Sequence, residues 1–308
     1  MASTRIEGTQ ASLDQLFELE AFGTSPDADV EEAVNYVRAM EVGLDRLQTL
    51  PLCVRLLREL HAVILDGVRG RDREPGELRR SQNWIGAPGA TIGSATFVPP
   101  PEGELSASLA DWERFANEEP ELPMLVQCGL LHYQFETIHP FLDGNGRLGR
   151  LLIVFFLVAR GRLSIPILYL SSYFEAHRDE YYARLQGVRE RGEIDAWLTF
   201  FLTGIERQAN DALARAQRLV DLREEYRRRV HATTRGSAAA LVDVAFESPI
   251  LTSRVAEQRL GVTRPTALGV LRRLAELGVL TERAPGPRGQ RRWVAEAILE
   301  IVAGEPDA

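Results

Sequence analysis

The sequence predicts a mainly α-helical chain with a small β-hairpin flap and a C-terminal helix-turn-helix unit. Three observations carry this expectation. Apolar residues recur at spacings of three and four along most of the chain, the period of a helix with one buried face. The pattern breaks for a long stretch between Gly67 and Gly103, where glycine and β-branched residues interleave. The tail from Leu241 to Val302 reads as helix, glycine turn, helix, followed by two short extended segments around a Pro-Gly loop.

Taken in order, Leu13, Leu16, Phe17 and Ala21 share a face of a first helix. A second runs from about Asp27 with Val30, Ala33, Val34, Val37, Met40, Leu44 and Leu47 in register. Pro51 suits the first turn of a third, which carries Leu52, Leu56, Leu57, Leu60, Val63 and Ile64. Gly86–Val98, closed by Pro99, Pro100 and Pro101, reads as a hairpin-like flap or a surface loop. Helical patterning resumes near Ser106 and passes through Trp112 and Phe115. Met124–Ile138 and the segment through Phe155 and Val158 form two apolar helices around a polar loop, and 205–231 reads as one long helix. Gly236–Ala240 marks a boundary. The expected division is an N-terminal helical region with the flap over 1–104, a core over 105–205, a linker helix over 206–240 and a C-terminal domain over 241–303.

A chain of 308 residues is long enough for two or three structural units. Its formal charge of −8 argues against a wholly basic nucleic-acid binder. All 36 basic residues are arginine, so a phosphate contact must come from arginine, backbone amides or hydroxyls. Cys53 and Cys128 sit in apolar helical patterns without metal or disulfide spacing. The start, Met1–Gln10, is polar, and the longest apolar run, Leu151–Ala159, is too short to span a bilayer. The expected setting is a reducing cytoplasm, with no membrane.

Residues 139–150, HPFLDGNGRLGR, gather the groups that polyphosphate chemistry needs. Gly144 and Gly146 permit close backbone approach, and amides at a helix N-terminus form an anion site. Asn145 can add a donor or hold the loop in shape. Arg147 and Arg150, three apart, share a helix face and can clamp neighbouring phosphates. Asp143 is a hard oxygen ligand that implies Mg²⁺. His139, whose ordinary pKa is close to working pH, is the natural general base.

This stretch resembles the signature of the Fic (filamentation induced by cyclic AMP) family, His-Pro-Phe-x-Asp/Glu-Gly-Asn-Gly-Arg-x-x-Arg, with every defining position filled. The resemblance implies a Fic-type helical core that transfers AMP from ATP to a hydroxyl on a protein and releases pyrophosphate. It gives His139 the role of base for the target Ser, Thr or Tyr, Asp143 the metal, Gly144–Gly146 the phosphate nest, and Arg147 and Arg150 the β- and γ-phosphates. Relatives named Doc carry lysine where Asp143 stands and phosphorylate instead, so Asp143 favours nucleotidyl transfer.

Ser3-Thr4-Arg5-Ile6-Glu7-Gly8 fits the family's inhibitory pattern, [Ser/Thr]-x-x-x-Glu-[Gly/Asn]. The resemblance implies that Glu7 pairs with Arg150 and forces ATP into an unreactive pose. In some relatives the same glutamate positions a water that removes AMP, so the reverse hydrolysis stays open. Arg79–Gly86 also looks family-like. The flap, Gly89, Ala90, Thr91 and Ile92 included, would align an extended target segment by main-chain pairing.

Ser253–Leu260, Gly261-Val262-Thr263 and Arg264–Leu277 have helix-turn-helix spacing, and the flanks of Arg283–Arg291 would form a wing, so the tail resembles a winged helix. Between Ile250 and Val294 nine arginines face three glutamates. On DNA, Arg264 and Arg272 would face a groove and Arg291 and Arg292 the phosphates; the alternative is protein contact or dimerisation. Three further readings stand beside AMP transfer: AMP removal, transfer from another nucleotide, and a DNA-binding transcription regulator with a sensory Fic core. A homodimer is compatible with the resemblance.

Overall fold

The computed structural model describes residues 2–6, 9, 11–22, 27–87, 89–119, 121–232, 237–285 and 289–304. They fold as two compact units. Residues 1–11 and 27–210 make the first, and residues 12–26 and 211–308 make the second.

The first unit is helical. It holds α1 (Ala2–Ile6), α3 (Ala28–Arg46), α4 (Val54–Ile64), α5 (Glu102–Asn117), α6 (Met124–Ile138), α7 (Asn145–Ala159), α8 (Leu170–Ala176), α9 (Arg178–Arg191) and the first part of α10 (Ile194–His231); α2 (Leu13–Phe22) belongs to the second unit. Asp27 caps α3 by accepting from the Asp29 amide. In α4 the apolar positions Leu56, Leu57, Leu60 and Ile64 are buried, while Arg55 faces out and pairs with Glu59 one turn on. By contrast α7 is buried all round, from Leu148 to Leu157, as expected of a helix at the centre of a unit. Its Phe155 ring lies against Gly43 of α3; a Cβ there would stand 2.1 Å from Phe155 Cζ, so only glycine admits the ring. Trp112 of α5, Phe135 of α6 and Trp197 and Phe201 of α10 complete this core.

The flap between α4 and α5 is joined at one antiparallel bridge, Ile85 with Phe97, and carries a turn of 3-10 helix, Ile92–Ser94. Its base is braced by α9: Arg189 lies 3.8 Å from the centre of the Phe97 ring, and Gln186 Nε2 donates to the Thr96 carbonyl.

The second unit takes the rest of α10 and then α11 (Ser237–Glu247), β1 (Ile250–Thr252), α12 (Ser253–Leu260), α13 (Arg264–Glu276), β2 (Thr281–Arg283), β3 (Arg292–Val294) and α14 (Glu296–Ala303). The antiparallel sheet runs β1-β3-β2, with Ile250 and Thr281 both opposite Val294. Leu241, Leu251, Leu271, Leu274 and Trp293 form its core. Helix α2 is sewn into this unit: Phe17 packs on Ile250, Val294 and Leu299, and Glu18 pairs with Arg292. Among the described residues no helix is long and apolar enough to cross a membrane.

Candidate active site

The loop of residues 139–144 joins the two central helices. Helix α6 ends at His139, whose amide donates to the Phe135 carbonyl and whose backbone is left-handed at φ 48° and ψ 61°. Pro140 cannot continue the helix, and the left-handed turn sends the chain aside. Such a conformation costs a non-glycine residue stability and persists only where its surroundings hold it. Here Arg79, 1 % exposed, donates from Nε to the His139 carbonyl at 3.1 Å and from its amide to the Pro140 carbonyl at 2.9 Å. Asn83 Nδ2 donates to the carbonyls of His139, at 3.2 Å, and Phe141, at 3.0 Å. A further Arg79 bond, 2.6 Å to the Pro100 carbonyl, ties the end of the flap to the same turn.

Asn145 closes the loop on itself. Its Oδ1 accepts from the Phe141 amide at 2.9 Å and its Nδ2 donates to the Phe141 carbonyl at 2.8 Å. Of the two roles open to Asn145 in the sequence, its side chain takes the one that shapes the loop. Gly144, at φ 74°, is the N-cap of α7, so the amides of Asn145, Gly146 and Arg147 lie in that helix's first turn.

His61 of α4 supports the loop from below. Its ring stacks on Phe141, centroids 3.9 Å apart. The Gly76 amide donates to Nδ1 at 2.8 Å, which leaves the ring proton on Nε2 to reach the Asp143 carbonyl at 2.9 Å. Burial pushes its pKa down to about 4. His132 behaves alike: it bridges the Gly149 carbonyl and the Tyr181 hydroxyl, and burial takes it to about 3. The imidazole of the loop itself, His139, is half-buried.

Asp143 Oδ1 accepts from the Gly144 amide at 2.5 Å and stands 3.4 Å from Arg147. Its side chain is about a third exposed, which leaves the carboxylate an outer face. Among the described residues no three His, Cys, Asp or Glu side chains gather as a metal cage. A single carboxylate beside a helix N-terminus still fits Mg²⁺, which takes one or two carboxylates and completes its shell with water and the oxygens of a bound anion.

Arg147 and Arg150 are both buried on α7. Arg150 is held by the N-terminal segment: Nε donates to Ser3 Oγ and Nη2 to the Ser3 carbonyl, each at 2.7 Å. Helix α1 rests on α7 and α8, and Tyr36 of α3 hydrogen-bonds Ser3 beside it. Glu7 and Gly8 lie outside the described residues. In the flap Gly89 has φ 82°, Ala90 accepts from Trp84 Nε1, Thr91 and Ser94 cap each other, and Ile92 is exposed. In the second unit Arg264 and Arg272 are exposed at α13, and Arg291 pairs with Glu282. Arg292 is only 19 % exposed, engaged by Glu18 and by the Ala284 carbonyl.

His61, Arg79, Asn83 and Ser3 are the contributors to which sequence reasoning gave no such part. Arg79 and Asn83 did lie within the family-like stretch, and Ser3 opened the inhibitory pattern.

Residues 51–157 match the Fic/DOC family, and residues 1–45 match the family's N-terminal region. A protein adenylyltransferase Fic of Culex quinquefasciatus is 31 % identical over 180 residues, which are 58 % of this chain and 32 % of that protein. Its counterpart in Drosophila yakuba is 28 % identical over 205 residues, 64 % of this chain and 38 % of that one. The chain thus spans about a third of the length of the curated relatives it matches. A crystal structure of a Fic family protein from Desulfovibrio desulfuricans covers 95 % of this chain and 84 % of that one, at TM-score 0.59 and 22 % identity. A Fic-1 structure from C. elegans covers 70 % of this chain and 61 % of that one, at TM-score 0.53 and 23 % identity. These two likenesses are of fold.

Proposed function

Since the chain belongs to the Fic/DOC family through residues 51–157, we propose that it transfers AMP from ATP to a Ser, Thr or Tyr hydroxyl of a protein, itself included, in the cytoplasm. The observation that carries this reading is the loop between α6 and α7, which brings an imidazole, a carboxylate, a helix N-terminus and two buried arginines together. The target oxygen attacks the α-phosphorus as its proton passes to the His139 imidazole. The new O–P bond forms while the bond to the β-phosphate oxygen breaks, and the electron pair leaves on pyrophosphate. The first amides of α7, with Arg147 and Arg150, receive the charge that grows on the leaving phosphates. Mg²⁺ held by Asp143 would neutralise phosphate charge there.

In the same reading Glu7 restrains the reaction by competing for Arg150. The bonds from Arg150 to Ser3, the first position of the inhibitory pattern, support an N-terminal brake at that arginine. The deciding experiment supplies ATP labelled at the α- or the γ-phosphate to wild type, Glu7→Gly and His139→Ala with Mg²⁺ and a protein target. Label should reach protein from the α-position alone and vanish in His139→Ala. In Glu7→Gly it should rise by about tenfold or more, the effect of one regained charge-assisted phosphate contact. Transfer of γ-label would make the protein a kinase; no transfer in any variant would turn the assignment to AMP removal or to regulation of transcription.

For the second unit we propose a winged helix. The order helix, strand, helix, helix, strand, strand of α11 to β3 supports it, with α13 as the helix offered to a partner. Arg264 and Arg272 lie exposed on that helix, which favours DNA. Affinity for duplex DNA should then fall steeply as salt rises. A flat response would assign the unit to protein contact.

A further inference from the structure

Glu32 of α3 has no part in the chemistry above, yet its carboxylate is 5 % exposed and collects three partners. Thr9 Oγ1 donates to Oε2 at 2.9 Å. The half-exposed guanidinium of Arg69 pairs with Oε1 at 3.3 Å. The fully buried Arg147 stands 3.7 Å from Oε2 through Nη1, and through Nη2 it stands 3.4 Å from Asp143. Arg147, the first arginine of α7, is therefore held between two carboxylates, one inside the loop and one far from it in sequence.

We propose that Glu32 is a positioning residue for Arg147 and an internal competitor for the phosphate that Arg147 receives. This rests on the nucleotide-transfer reading. A buried guanidinium requires counter-charge, and Glu32 supplies it before a nucleotide arrives, keeping the fork aimed at the loop. A triphosphate brings more charge to the same nitrogens and must displace or repel that carboxylate. Arg69 makes the exchange tolerable: when Arg147 turns to phosphate, Glu32 keeps an ionic partner. The affinity of Arg147 for phosphate is thus a difference between two acceptors, and Arg69 sets its level. Through Thr9 the same carboxylate fastens the N-terminal segment two residues beyond Glu7. Both arginines of α7 then answer to that segment, Arg150 through Ser3 and Arg147 through Glu32.

The test is calorimetric titration of ATP with Mg²⁺ into the full chain, without a protein target, for wild type, Glu32→Gln and Arg69→Gln. Glu32→Gln keeps the shape and an acceptor for Thr9 but removes the charge, so ATP should bind about tenfold more tightly while the unliganded protein melts at a lower temperature. Arg69→Gln removes one of the two cations beside Glu32 and leaves it leaning more on Arg147, so ATP should bind about threefold or more weakly. A residue that merely supports the fold would weaken binding in both variants. Equal or weaker binding by Glu32→Gln overturns the proposal. Should that variant fail to fold, Arg69→Gln, altered at a side chain 53 % exposed, decides alone, and unchanged or tighter binding overturns it. If wild type binds no ATP, the nucleotide reading fails first and carries this one with it.

Discussion

Gly76 donates to Nδ1 of His61, and that one bond settles the tautomer of a ring that braces the loop. His61 and His132 are both neutral in the fold, with pKa values near 4 and 3 against 6.5 for the free side chain. Below pH 6.5 the unfolded chain takes up protons that the folded chain refuses. Their contribution to stability is complete above pH 6.5 and is lost as pH falls toward those lower values, by about 2 kcal/mol for each ring between pH 6.5 and 5. Urea denaturation at pH 7 and pH 5 should show this loss. His61→Leu should be less stable at both values and show a shallower pH dependence; an unchanged slope would mean that His61 is not the titrating ring. At this scale the sequence spoke unevenly. The residues of HPFLDGNGRLGR are contiguous, so their chemistry was legible together. His61 meets the loop, and Glu32, bonded to Thr9, meets Arg147, only through tertiary contacts, and each alone reads as an ordinary helical or tail residue. Asn145 shows a subtler limit: its identity was informative, while the choice between donor and clamp depended on where the Phe141 backbone turned.

Among the elements, α6 and α7 were the most legible, because a long apolar run bounded by Pro123 and by a glycine-rich loop leaves few alternatives to a buried helix. Helix α10 begins at Ile194, well before the expected start at Ile205, because Trp197 and Phe201 continue the buried face that the pattern from Ile205 onward displays. The flap kept its expected place, with one bridge between its limbs and a 3-10 turn near its tip. What periodicity leaves unsaid is how closely two helices approach. Gly43 reads as a weak point in a helix, and its reason is Phe155 of another element. Gly43→Ala should cost about 1–3 kcal/mol through overpacking, read as a lower urea midpoint. Adding Phe155→Leu should return part of that loss. If the double variant is no better than the single, the ring is not what excludes the methyl group.

For the whole molecule, the sequence suggested a linear succession of parts, whereas residues 12–26 belong with the C-terminal unit. The amphipathic face of α2 was readable; its partner was not, since Phe17 meets Ile250, Val294 and Leu299 across more than two hundred positions of chain. Phe17→Asp should release α2 from the sheet while leaving the first unit's core intact. Limited proteolysis should then cut between Leu13 and Phe22 in the variant and spare wild type; equal resistance would show that the apolar contact does not hold the helix.

This stitching also bears on the order in which the protein is made. Helix α2 leaves the ribosome more than two hundred residues before β1 and β3. At about 5–20 residues per second the delay between them is on the order of ten to fifty seconds. Throughout it the chain up to Asn210 has time to fold, while Phe17 has no sheet to pack on. The exposed face of α2 is then the surface a nascent chain offers to a chaperone, and the second unit closes only once β3 has emerged.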